Sequence, residues 1–319
     1  MSNYSKLILG STMTLALLFG FLEPVWPGAV ISFKRLHIFL FNLCVGGVLI
    51  IYFTEARETF SKKAIVYLSL TYLYTLSAAS GFYIIALLLS ILLVFVVESV
   101  RIKKFSFFPL EFFNWKVRAS EKFHHASLLC LSMSIVVASL VILNNEYFKL
   151  IQLPKLTLDV FFLGYSFPIS LITMSIMFSF LERSSATSGA LKEFFFWMIN
   201  LGVIIFFLFI LFNMAIAEFL IATALFFTVC LLLFHFLRRA PEAQQKNFIV
   251  SGMFFLLFTG LTGVLYIVSY FITPIYASHR FYLILHAMVS LYGWNLSGLF
   301  IIIRWRDFPI RMNSLFPIM

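Results

Sequence analysis

The stretch "KKAIVYLSLTYLYTLSAASGFYIIALLLSILLVFVVESVRIKK", residues 62–104, decides how many times this chain crosses a membrane. A bilayer core about 30 Å thick takes roughly 20 apolar helical residues. The stretch is too long for one such helix and slightly short for two. "SAASG" at 77–81 gathers small side chains around Gly81, and that composition punctuates a helix end. It predicts a tight helical hairpin, with spans at 62–77 and 81–100.

Outward from it the chain keeps the same character. Its 319 residues are 62% hydrophobic and 11% charged, with a mean hydropathy of +1.02. Soluble domains are far less apolar and about a quarter charged, so composition alone indicates a membrane protein. The remaining spans read as 6–22, 35–54, 122–143, 156–181, 190–212, 215–238, 247–273 and 280–303. The opening, with Lys6 before an apolar run, imitates a signal peptide; in a chain this apolar it reads as the first span.

Loop charge tests the count. With ten spans, 18 Lys and Arg lie on the side holding both termini and 5 on the other; merging 62–100 gives 16 against 7. Basic residues concentrate in cytoplasmic loops, so ten spans with both termini cytoplasmic is the expectation. The fold class is an all-α polytopic transmembrane helical bundle, a single integral membrane domain over 1–319. The same rule explains the net charge of +10 without nucleic acid. The expected partner is the lipid bilayer of the cell inner (plasma) membrane; a membrane-protein partner or a homo-oligomer stays open. Residues 101–121, with Phe and Trp between basic residues, suit the anionic headgroup layer.

Charges at the bilayer centre mark ion paths, and none falls there. Cys44, Cys130 and Cys230 lie in apolar runs without metal-ligand spacing, against a disulfide framework. P-loop, GxSxG, HExxH and HxxxH patterns are missing, and whether the chain is an enzyme stays open.

The histidines are more informative. His37 and His286 lie toward the outer ends of their helices, while His124, His125 and His235 lie toward the inner ends. Adjacent residues point about 100° apart on a helix, so His125 is expected to face inward and His124 water. His286, Ser290, Gly293 and Ser297 share one face of the last helix; His125, Ser132 and Ser139 repeat every seven. Small and polar residues on one face are what membrane helices bury against each other. In the sixth span Asp159, Ser166, Ser170 and Thr173 share a face, and Pro168 is expected to kink it. Histidine at a helix end also simply meets headgroups, and that reading stands beside ligation.

Three segments repeat one phrase, a polar residue, apolar residues, Gly or Asn, then more apolar residues: "RLHIFLFNLCVGGVLIIYF", "LTLDVFFLGYSFPISLITMSIMF" and "LILHAMVSLYGWNLSGLFIIIR". This predicts repeated helix pairs. The phrase resembles the helices of NnrS-type membrane proteins, related in architecture to haem-copper oxidases; "KFHHAS" and "LHAMVSLYGWNLSGL" also resemble segments of the YndJ-like family. The resemblance implies a haem- or copper-binding bacterial inner-membrane protein linked to redox or nitrosative stress. The residues expected to hold the cofactor are His286, His37, His125 and His235, with His286 and His125 as metal ligands. Asp159 stands where the phrase has histidine. The alternatives are a transporter or flippase for a small or lipid-like substrate, with a path along Asp159, Ser166, Thr173 and Asn295, or a membrane assembly subunit.

Overall fold

A computed structural model describes residues 1–26, 31–56, 58–153, 156, 164–183, 188–269, 271, 276–305 and 307–308. Every regular element among them is helical. Nine described helices are long and apolar enough to cross a membrane. They are α1 (Asn3–Val25), α2 (Phe33–Glu55), α4 (Tyr83–Lys104), α5 (Ala119–Phe148), α6 (Gly164–Leu181), α7 (Gly189–Leu211), α8 (Ala215–Arg239), α9 (Gln244–Val268) and α10 (Phe281–Arg304). By length and composition the chain is a multi-pass membrane protein.

Between α2 and α4 lies α3 (Lys62–Ala79), 18 residues long, or about 27 Å at 1.5 Å per residue. Residues 62–104 are therefore two helices. The turn is a Schellman motif: Phe82 N–H bonds Ser77 O at 2.8 Å, Gly81 N–H bonds Ala78 O, and Gly81 takes φ +78°. Only glycine adopts that angle without a steric cost. The face of α3 carrying Tyr67, Thr71, Tyr74, Thr75 and Ala78 is buried, and Tyr67 and Thr75 reach Leu43 and Cys44 of α2. Its polar content serves packing rather than lipid contact, which makes α3 less apolar than the other nine.

Serine caps begin four helices. Ser2, Ser32, Ser61 and Ser188 each accept from the N–H three residues on, satisfying a donor that the first turn leaves open. The bundle has a centre: 89% of the apolar window of α2 is buried and 72% of that of α6, against 22% for α1 and α8. The outer helices turn Phe and Leu outward, among them Phe95, Phe227, Phe258 and Leu88, while Phe39, Phe123, Phe178 and Phe195 fill the core. Two central seams contain π-helical turns, Phe39–Gly47 in α2 and Val289–Asn295 in α10.

One face of the bundle collects the basic helix ends. Lys6 of α1 pairs with Asp307 beyond α10 at 2.6 Å. Lys63 at the start of α3 donates to Ser99 O near the end of α4. Trp305 stacks edge-on with Phe53 of α2 and Phe180 of α6. At the opposite face Arg35 of α2 donates to Ala78 O of α3 and to the Tyr83 hydroxyl of α4.

The sixth helix is described only from Gly164 onward. Pro168 lies in the first turn of the α-helical part, Phe167–Leu181, where its missing N–H breaks nothing. It follows the 3-10 turn Gly164–Ser166, and the expected kink concerns a span whose first part lies outside the described residues. Residues 157–163, with Asp159, lie outside the described residues.

Candidate functional site

The densest polar assembly sits at the basic face, where α4, α5, α6 and α7 meet the loop 105–118. Arg101, 3% exposed, has all five N–H donors engaged. Nε and Nη2 hold the Glu98 carboxylate, Nη1 and Nη2 reach Ser106 O and Phe107 O, and the second Nη1 donor meets His125 Nε2 at 2.8 Å. Since guanidinium donates only, His125 Nε2 must accept. Its proton is then on Nδ1, which faces Glu111 Oε2 at 3.2 Å. The fully buried ring stacks on Phe105, with centroids 4.7 Å apart and planes 3° from parallel, and meets the edge of Phe112. His125 thus ties the loop to the bundle through both ring nitrogens.

Beside it Lys122, 0% exposed, pairs with Glu193 of α7 at 2.5 Å and donates to Phe112 O. Glu182 at the end of α6 accepts from the Ser120 N–H and hydroxyl, and Ser175 donates to Ser120 O. The helix ends are therefore clamped by ionic and hydroxyl bonds around one opening.

That opening is a cleft of about 530 Å³ between α2, α5, α6 and the loop. Phe53, Phe105 and Ile176 give it an apolar wall; Lys104, Arg118, His124, Glu111 and Glu121 give it charge and hydrogen-bonding groups. Arg118 is neutralised by Glu121, and Glu111 is held by His125. Lys104 forms no ion pair among the described residues. His124 Nε2 meets Thr54 Oγ1 at 2.8 Å, and Thr54 gives its own proton to Ile50 O. His124 must then donate from Nε2, so Nδ1 keeps its lone pair.

No protein-family model matches the chain. No curated protein and no solved structure matches it either. The site is interpreted from its own chemistry.

The other expected site residues are distributed through the bundle. His37 Nδ1 faces Ala16 O of α1 at 2.7 Å, and its Nε2 accepts from the Tyr292 hydroxyl of α10 at 3.0 Å. His286 Nδ1 faces Thr259 O of α9 at 2.9 Å. His235 is half-buried on α8, its ring 6.5 Å from that of Phe195. Binding a metal at His37 or His125 would break an existing hydrogen bond, whereas His286 retains a lone pair. Among the described residues no group of three or more His, Cys, Asp or Glu side chains is placed to hold a metal ion.

Ser166, Thr173 and Asn295 do come together, on the seam between α6 and α10. Ser170 donates to Asn295 Oδ1 at 2.9 Å, Asn295 Nδ2 reaches Ser166 O at 3.5 Å, and Gly298 leaves room for Thr173. Asn295 and Thr173 are 0% and 1% exposed, so they pack the seam. The expected inward face of α5 also holds: His125 and Ser132 are buried, and Ser139 donates to Ser90 of α4 at 2.8 Å.

Sequence reading missed Arg101 and Glu111 as partners of His125, Thr54 as the partner of His124, and the adjoining Arg101–Glu98 and Lys122–Glu193 pairs. Glu98 and Arg101 stand three apart on one helical face, a spacing visible in the sequence. The other partners meet across a loop or between helices, where spacing carries no signal.

Proposed function

We propose that the chain is a ten-span inner-membrane protein, termini cytoplasmic, that transports or flips an amphiphile whose anionic headgroup enters the cleft beside Lys104 and His124. The cleft carries this reading. It joins the Lys104 ammonium, which has no ion pair among the described residues, to an aromatic wall, at a loop presenting Phe107, Phe108, Leu110, Phe113 and Trp115, each at least 60% exposed. Exposed aromatics between basic residues suit the headgroup layer, and a lipid-like molecule reaches such a cleft from the membrane.

Two contacts support ten crossings. The Lys6–Asp307 pair holds both described ends on one side, and only an even number of crossings returns a chain to its starting side. The ends of α3 are bonded to opposite faces of the bundle, by Lys63 to Ser99 O and by Ala78 O to Arg35. The excess of Lys and Arg on the side of the termini supports the cytoplasmic orientation.

The test reconstitutes the protein in vesicles containing a fluorescent anionic lipid. Wild type should move the probe between leaflets, and Lys104→Glu should slow it about tenfold. Equal rates for wild type, Lys104→Glu and empty vesicles would reject the reading. A redox reading, with haem or copper, is supported by the remaining lone pair of His286. Oxidised and reduced visible spectra with metal analysis of the purified protein test it.

A further inference from the structure

Two hairpins far apart in the chain carry the same device. In α1–α2, His37 Nδ1–H donates to Ala16 O at 2.7 Å. Its ring lies over Gly20, one helical turn beyond Ala16, where an added Cβ would be 2.9 Å from Nδ1. In α9–α10, His286 Nδ1–H donates to Thr259 O at 2.9 Å. Its ring lies over Gly263, one turn beyond Thr259, where a Cβ would be 3.2 Å from Cε1 and Nδ1. Each histidine leads directly into a π-helical turn, Phe39–Gly47 or Val289–Asn295. Any one of these features is unremarkable. Carbonyl, glycine and π turn in the same order in two hairpins mark two copies of one unit.

The copies differ at Nε2. In both, the proton is on Nδ1 and Nε2 presents a lone pair. On His37 the Tyr292 phenol fills that position at 3.0 Å. On His286 no group among the described residues reaches it. Leu283, three residues before His286 on the same side of α10, is 45% exposed on a membrane-spanning helix, so a molecule reaching His286 does so through lipid. It must be neutral, because a charge in the hydrocarbon is costly, and it must donate a hydrogen bond, because Nε2 only accepts.

We infer that His286 Nε2 is the acceptor in a second binding site, for a membrane-soluble phenol or quinol whose hydroxyl takes the place that Tyr292 fills on His37. The site is independent of the basic-face cleft and would survive the failure of that assignment. No redox step at His286 is required, only a neutral hydrogen bond at the end of an apolar ligand.

Binding of a short-chain benzoquinol to the full chain in lipid nanodiscs tests this, with its dimethyl ether as a probe of equal shape and no donor. A neutral hydrogen bond is worth about fivefold to tenfold in affinity. Wild type should bind the quinol about that much more tightly than the ether. His286→Ala should remove the difference, while His286→Gln, which keeps an acceptor, should retain part of it. Lys104→Glu should leave quinol binding unchanged. Should His286→Ala fail to fold, the comparison of the two probes on wild type still decides. Equal affinities of wild type for quinol and ether, or a full preference retained in His286→Ala, would overturn the inference. A Soret band or bound copper lost in His286→Ala would also overturn it, by making Nε2 a metal ligand.

Discussion

Arg101 is where single-residue chemistry is most demanding, because its planar fork serves a carboxylate, two carbonyls and an imidazole together. Lysine has three donors on one nitrogen and cannot reproduce that fork. Arg101→Lys should cost about 3 kcal/mol, since the remaining groups are buried without partners. It should also free the loop 105–118; thermal unfolding in detergent and the rate of proteolytic cutting there measure both effects. The inward turn of His125 was legible from sequence, because neighbours on a helix diverge by about 100°. Its partners were not, because Arg101 and Glu111 come to it across an irregular loop. For His286, sequence indicated a face of small residues. It could not indicate that one ring nitrogen is fixed by Thr259 O and the other left open.

Helices were the most legible elements, because a bilayer fixes their length and apolar content. The least apolar, α3, was found through its turn, where "SAASG" forms the Schellman motif. Pro168 carries two meanings, since proline in an apolar run signals a kink or a first turn with equal force, and it stands in the first turn of Phe167–Leu181. Between elements, the Lys122–Glu193 pair joins α5 to α7 in a buried setting. Glu193→Gln should cost about 3–5 kcal/mol by leaving the lysine charge buried without its counterion. The double variant Lys122→Met, Glu193→Leu should regain most of the loss. Thermal unfolding of the three variants against wild type checks this, and a double variant no better than the single one would show that packing, not charge, dominates.

At the scale of the molecule, the two described ends are joined by Lys6, Arg304 and Asp307. Burial acts to raise the Asp307 pKa, but hydrogen bonds from Lys6 and Arg304, with their charges, lower it overall. A carboxyl with a depressed folded pKa contributes stability above its unfolded value of about 3.9 and loses it as pH falls through the folded value. Asp307→Asn should therefore lower the melting temperature at pH 7, by an amount matching about 0.5–1 kcal/mol. The difference from wild type should shrink as pH falls below about 4; a gap unchanged down to pH 2 would remove the charge explanation. Counting basic residues by side sums over loops and carries no signal of a bond between Lys6 and Asp307.

The π turns of α2 and α10 have a further consequence. Each holds a residue more than an α-helix needs between the same flanking turns, so each absorbs that residue without turning the helix beyond it. Deleting one residue within 39–47 would let that turn close to α-helical winding and leave the flanking turns in phase, whereas the same deletion in an α-helical part of α2 would rotate everything beyond it by about 100°. Over evolutionary time, such turns, Leu143–Phe148 at the end of α5 among them, are where single-residue insertions and deletions can enter a membrane helix, acting as a vernier between two rigid halves.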